Sequence, residues 1–138
     1  MYDRILVPTD GSDASVGPSL EHALRIAQNF DSVIHVLYVS DTKLENNPLF
    51  MGDSSPVGKD ATKQVEEKAH KYGVQCKTSV TEGDPAEEIM DYSKGHAIDL
   101  IVMGTHGRTG LSRILKGSVT EEVMRKSRKA VLAVDREE

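Results

Sequence analysis

Residues 99–118 read DLIVMGTHGRTGLSRILKGS, a short apolar run followed by a glycine-rich segment. The run that ends at Met103 has the composition of a strand buried on both faces. Three glycines follow at intervals of three, beginning with Gly104, and Gly117 precedes Ser118 where the next helix is predicted. Glycine lets a backbone approach a ligand closely, and the amides of a helix N-terminus attract anions. The stretch therefore predicts a phosphate-binding loop between a strand and a helix.

The charge of this loop supports the same interpretation. The whole chain has a formal net charge of -5, yet residues 104–118 contain no acidic residue and include Arg108, Arg113 and Lys116. A local positive field can hold an anion even when the protein as a whole is negative. Nucleic acid is not expected as a partner, because general nucleic-acid binding requires a basic face.

The rest of the chain alternates between β-rich runs and helical patterns. Strands are predicted at residues 2–8, 32–39, 74–80, 99–103 and 130–134, and helices near 15–30, 59–72, 84–95 and from 118 onward. This alternation is typical of βαβ units in an α/β fold with an open parallel sheet and helices on both faces. Right-handed crossovers predict a Rossmann-like sheet with the strand order 3-2-1-4-5.

This strand order brings two distant segments to one edge of the sheet. Strands one and four become neighbours, and ligands of open α/β sheets bind where the strand order reverses, beyond the carboxyl ends. Pro8 cannot donate to a ladder, so the first strand should end there, with Asp10 just past it. The residues thus predict a purine nucleotide whose ribose lies near Asp10 and whose phosphates follow Gly104, Gly107, Gly117 and Ser118.

The spacing Gly104-x2-Gly107-x9-Gly117-Ser118 resembles the nucleotide-binding pattern of the universal stress protein family, in its ATP-binding subgroup. The resemblance extends from RILVPTDGS at residues 4–12 to KAVLAVDR at residues 129–136. It implies an adenine nucleotide alpha hydrolase-like fold and ATP as the ligand, with main-chain groups around Val39 contacting the adenine. It also implies a Mg or Mn ion that bridges the phosphates without a dedicated protein cage, and a homodimer formed through the last strand, Ala130 to Val134. The candidate ATP-binding residues are Pro8, Thr9, Asp10, Val39, Met103, Gly104, His106, Gly107, Arg108, Gly117, Ser118, Val119 and Thr120.

Three functions from different classes remain open. The first is an ATP-binding regulatory or sensor module that acts on an unknown protein in the stress response. The second is an ATP-using enzyme of the adenylating or ATP pyrophosphatase class, since DGSDAS at residues 10–15 is similar to its loop but lacks a Gly-Gly pair. The third is a receiver-like phosphoacceptor, for which Asp10 lacks a matching acid and lysine.

The family resemblance favours the regulatory module, and what the loop lacks supports this interpretation. Neither G-x-x-x-x-G-K-[ST] nor G-x-G-x-x-G after the first strand occurs in the chain, so the loop is not that of an ordinary NTPase or dinucleotide enzyme. His106 is the best candidate for a general base, but a histidine that faces a phosphate or solvent is commoner than one that transfers a proton, and no arginine finger can be assigned. No catalytic residue is therefore predicted.

Length and composition set the broad organisation. A chain of 138 residues predicts one domain, 1–138. The single cysteine, Cys76, is expected to be an inert strand residue in a reducing compartment. With no signal-like start and no apolar run near the roughly 18 residues of a membrane span, a cytoplasmic location is expected.

Several local features are also predicted. His35 should be packed and hydrogen-bonded within its strand, and Phe30 should lie on the buried face of the first helix. Pro18 fits that helix only if the helix begins near Ser15. Asp84 should cap the third helix. Residues 40–58 should form a long loop or lid, which at this length is often functional or disordered.

Overall fold

The computed structural model describes residues 1–9, 13–40, 59–104 and 117–134. Within these ranges, strands and helices alternate along the chain. The strands are β1 (Arg4–Thr9), β2 (Val33–Ser40), β3 (Gln75–Glu82), β4 (Leu100–Gly104) and β5 (Ala130–Val134), and the helices are α1 (Asp13–Phe30), α2 (Lys59–Lys71), α3 (Pro85–Gly95) and α4 (Gly117–Lys126).

The strands form one parallel sheet in the order β3-β2-β1-β4-β5, which confirms the predicted topology. Helices cover both of its faces. Leu24 of α1 and Val65 of α2 belong to one buried cluster, whereas Ile89 of α3 and Val123 of α4 belong to another. Successive residues of the central strand alternate between the clusters, as Ile5 and Leu6 show. Both faces of the sheet are therefore packed.

Pro8 lies inside β1, so the prediction that the strand ends there is one residue short. The carbonyl of Arg4 accepts from the Asp99 N–H on the β4 side, and Pro8, four residues on, faces the same way. The β1–β4 ladder contains only the pairs Ile5 with Leu100 and Leu6 with Ile101, and it stops before Pro8. The proline is tolerated in a central strand because its missing N–H faces β4 where that ladder has already ended.

The amino ends of β1 and β4 are held together by the side chain of Asp99. Oδ2 of Asp99 accepts the N–H groups of Asp3 at 2.9 Å and Arg4 at 3.0 Å. The two strands are thus joined at their amino ends and no longer paired at their carboxyl ends.

Three helices end in the same backbone turn. In each turn an N–H bonds back to the carbonyl five residues earlier, and the preceding residue has a positive φ, which is the pattern of a Schellman motif. The bonds are Ser32 N to Ala27 O (3.1 Å), Val74 N to Ala69 O (2.9 Å) and Ile98 N to Ser93 O (3.0 Å). The left-handed residues are Asp31 (φ 60°), Gly73 (φ 71°) and Ala97 (φ 53°). Of these three residues only Gly73, after α2, has no Cβ to oppose the left-handed conformation.

The first helix differs from its prediction at both ends. It begins at Asp13, before Ser15, so Pro18 lies beyond its first turn, where the ring removes one helical hydrogen bond. Phe30 is 44% exposed rather than buried. Its ring packs edge-to-face on Tyr2 with a centroid distance of 5.4 Å. As the last residue of α1, Phe30 lies at the border of the sheet, where Tyr2 gives it a partner.

Two other local predictions, the Asp84 cap and the strand position of Cys76, are confirmed. Oδ2 of Asp84 accepts from the N–H of Glu87 at 3.1 Å, and Pro85 is the first residue of α3. Cys76 lies in β3, where burial raises the pKa of its thiol to about 11, so the reactive thiolate is scarce at neutral pH. Among the helices of the described ranges, none combines the length and the apolar character needed to cross a bilayer.

Candidate nucleotide-binding site

The carboxyl ends of three strands lie together at one edge of the sheet. Thr9, the last residue of β1, pairs with Tyr38 of β2, and Val39 follows. On the other side, Leu6 pairs with Ile101, and continuing this register by three residues brings Thr9 level with Gly104. The two segments that the sequence assigned to a ligand therefore approach the same edge, where β1 and β4 are no longer paired.

The first turn of α4 is attached to this edge. Oγ1 of Thr120 donates to the carbonyl of Gly104 across 2.9 Å, and Thr120 is only 3% exposed. Gly104 ends β4 and Gly117 begins α4, so this bond holds the first turn of α4 at the end of β4. The amides and positive dipole end of α4 lie at the carboxyl edge, which is the environment that anions prefer.

Several candidate side chains are part of the core. Val39 is 4% exposed and Met103 fully buried, and both belong to the cluster around Ile89. Val119 packs against the same cluster. At Val39 and Met103 the side chains are therefore used in core packing, which leaves only their main chain for a ligand at the edge.

Pro8 and Thr9 are buried at the end of β1. Asp10, His106, Gly107 and Arg108 lie outside the described residues, as does the predicted loop 40–58 apart from Ser40, which ends β2. For Gly117 and Ser118 the backbone alone is described. It places Ser118 in the first turn of α4, one residue after the helix begins.

The sequence did not predict the hydrogen-bond partner of the Thr120 hydroxyl. It was a candidate ligand contact, whereas in the structure its hydroxyl bonds to Gly104. A threonine in the first turn of a helix, on the face that packs against the sheet, was the available signal. Its partner could not be identified without the position of the helix.

Comparison with known proteins identifies the family. The sequence profile of the universal stress protein family matches residues 1–135. The chain belongs to this family.

Two archaeal members show how far the likeness extends. The universal stress protein MJ0531 of Methanocaldococcus jannaschii is 39% identical over 141 residues, covering 97% of this chain and 82% of the relative. The solved structure of MJ0577, from the same organism, superimposes with a TM-score of 0.72 at 31% identity and covers 100% of this chain and 99% of its own. The likeness thus includes the whole sheet.

Two more distant structures contain adenine nucleotides. A universal stress protein in complex with cAMP has a TM-score of 0.70 at 24% identity, covering 99% of this chain and 98% of its own. A family protein from Arabidopsis thaliana with AMP bound has a TM-score of 0.69 at 20% identity, covering 98% and 92%. At these identities the likeness shows a shared fold.

A further polar cluster among the described residues of this universal stress protein is formed around His35. His35 is 5% exposed, and its Nδ1 lies 2.7 Å from Oη of Tyr92. The Tyr92 ring stacks on His96 at 3.7 Å. His35 is level with Leu6, three residues before the end of β1, or about 10 Å from the carboxyl edge. It is packed and hydrogen-bonded, as the sequence predicted, and lies away from the candidate site.

Proposed function

We propose that this universal stress protein binds ATP at the carboxyl edge between β1 and β4 and acts as a nucleotide-dependent regulatory or sensor module in the stress response. The supporting observation is the hydrogen bond from Thr120 to the Gly104 carbonyl, which holds the first turn of α4 at the end of β4. Helix N-termini in this position bind phosphate through their free amides and dipole. The phosphates would follow Gly104, Gly107, Gly117 and Ser118.

The adenosine half of the ligand would bind at the ends of β1 and β2. Asp10 directly follows Thr9 in the sequence, and a carboxylate there can accept hydrogen bonds from ribose hydroxyls. The main chain around Val39 would contact the adenine, because the Val39 side chain is committed to the core. The cAMP and AMP of the two distant structures share adenosine, which supports this ligand class.

A Mg or Mn ion is part of the proposal. Magnesium commonly binds nucleotides through phosphate oxygens and water, with one or two protein ligands. In this site the ion would bridge the phosphates, so removal of divalent cations with EDTA should weaken ATP binding.

We also propose a homodimer formed through β5. This edge strand reads AVLAV, and Val131, Leu132 and Ala133 remain only partly buried. The opposite edge strand, β3, reads QCKTSVTE and carries polar residues that discourage strand pairing. The apolar edge is therefore the one suited to a second copy of the chain.

ATP binding can be tested on the protein and two glycine variants. Mass spectrometry of the denatured protein should show ATP carried through purification, and added ATP should raise the melting temperature. Gly107→Val should abolish binding, because its side chain would occupy the space of the phosphates. Gly95→Val is the matched control, since a Cβ at Gly95 meets nothing within 4 Å. An empty protein with no thermal shift, or a Gly107→Val variant that binds like the parent, would contradict the proposal.

The regulatory role makes a separate prediction about turnover. Phosphate release at saturating ATP and magnesium should be far slower than the roughly 1 to 1,000 per second of typical enzymes. Turnover within that range that falls about a hundredfold in His106→Ala would instead indicate an enzyme with a general base.

A further inference from the structure

The hydrogen bond of Thr120 joins two different elements. A threonine inside a helix commonly bonds to a carbonyl of its own preceding turn. Thr120 instead donates to Gly104, sixteen residues earlier and at the end of β4. Both residues are buried, so water does not compete freely for this bond.

The same face of α4 carries an apolar contact one turn further on. Val123 is fully buried in the cluster that contains Ile101 and Met103 of β4. Apolar packing holds the helix against the sheet but is not directional. A hydrogen bond is directional and weakens steeply when its angle or length changes. The Thr120 bond is thus suited to fix where the helix begins along its axis.

The position of the first turn matters for the ligand. Thr120 lies three residues after Gly117, within the turn whose amides and dipole would face the phosphates. A small displacement of this turn would change every amide-to-phosphate distance together. The ends of β1 and β2, where the adenosine would bind, would be unaffected because their pairing does not involve α4.

We propose that Thr120 is a positioning residue for the phosphates, acting through the Gly104 carbonyl, and that its hydroxyl does not contact the ligand. This inference rests on the proposed ATP site. It predicts that Thr120 contributes to the affinity for ATP and does not contribute to the affinity for adenosine.

The experiment compares the two ligands on substituted proteins. Isothermal titration with ATP and magnesium, and separately with adenosine, is carried out on the parent, Thr120→Val and Thr120→Ser. Valine keeps the shape of threonine but removes the donor, so ATP affinity should fall about three- to tenfold. Adenosine affinity should stay within about twofold. Serine keeps the hydroxyl and should restore ATP affinity to near the parental value.

Ser32→Ala provides the matched control. The Ser32 hydroxyl is also buried and also donates to a distant carbonyl, that of Tyr2, but at the amino edge of the sheet. This variant should lose stability without changing the ratio of ATP to adenosine affinity. A selective loss in Ser32→Ala equal to that in Thr120→Val would assign the effect to general destabilisation and overturn the positioning role.

Thr120→Ala is measured in parallel, so that the comparison stands if valine prevents folding. The same selective loss of ATP affinity is expected for it. An unchanged ratio of ATP to adenosine affinity in the folded variants would overturn the positioning role while leaving parental ATP binding intact. A parent that binds neither ligand would overturn the proposed function as well, so the two failures are distinguishable.

Discussion

His35 is a buried imidazole among positive charges. Burial lowers its pKa, and the nearby charges of His96, Lys77 and Arg4 lower it further. Its Nδ1 is hydrogen-bonded to Tyr92, whose hydroxyl also lies 3.5 Å from Oγ of Ser79. The neutral imidazole is therefore the form that this environment favours.

This environment predicts a loss of stability in mild acid. Because the folded-state pKa of His35 lies below its unfolded value of about 6.5, the unfolded chain binds more protons as the pH falls through that value. The free energy of unfolding should be fully retained above pH 6.5 and decline below it, by at most about 1.4 kcal/mol per pH unit for this one group. Urea unfolding at pH 7, 6 and 5 measures the decline.

The variant for this prediction is His35→Gln, which keeps a polar partner for Tyr92 and removes the titration. Its stability should depend less steeply on pH than that of the parent. His70→Gln, at an exposed position of α2, is the control and should keep the parental slope. Equal slopes in all three proteins would show that His35 does not contribute.

At the scale of elements, two of the helix ends place a residue with a Cβ in the left-handed conformation, which is unfavourable for it. Ala97 is exposed and has a φ of 53°, whereas Gly73 fills the same place at the end of α2. The left-handed region costs a residue with a Cβ about 1–2 kcal/mol, and glycine relieves this cost but loses more chain entropy on folding.

Ala97→Gly should therefore stabilise the protein by about 0.5–1 kcal/mol. The reciprocal change, Gly73→Ala, should destabilise it by a similar amount. A Cβ at Gly73 meets nothing within 4 Å, so only backbone strain should contribute there. Thermal and urea unfolding of both variants check the signs. A destabilised Ala97→Gly would show that the methyl group contributes more than the strain costs.

Periodicity predicted the elements well because it reports which side chains are buried. It located the five strands within two residues of their ends. Capping chemistry, a separate signal, identified the helix start at Asp84. It could not foresee Pro8 inside β1, because the tolerance of that residue depends on where the ladder with β4 stops. Nor could it foresee the left-handed Ala97, which lies in the turn that the bond from the Ile98 N–H to the Ser93 carbonyl closes.

At the scale of the whole molecule, the two edges of the sheet differ in a way that predicts the assembly. Light scattering after size-exclusion chromatography should show a dimer. Val131→Lys on β5 should raise its dissociation constant by about ten- to a hundredfold, because two ammonium groups would be buried at the interface. Val80→Lys on β3 is the matched control, since Val80 is 69% exposed at the opposite edge. A monomeric parent, or a control that dissociates equally, would contradict the β5 interface.

Topology rules also predicted which strand ends would lie together. Once the strand order is 3-2-1-4-5, Thr9 and Gly104 must reach the same edge, whatever side chains surround them. The link from Thr120 to Gly104 lay beyond this reasoning, because it depends on how far α4 is shifted along its own axis. Whether Asp10 and the glycine loop bind the nucleotide stays a prediction.

The contact of Asp99 with the amides of Asp3 and Arg4 has a consequence for the newly made protein. These partners are separated by 96 and 95 residues, so β1 leaves the ribosome well before β4, which is its second neighbour in the sheet. At roughly 5–20 residues per second this interval lasts about 5–20 seconds. Until then β1 is the open edge of a half-built sheet, where a foreign strand could pair. The proposed site between β1 and β4 also needs the first turn of α4, which Thr120 bonds to Gly104, so a nucleotide could bind there only after both β4 and α4 have been made.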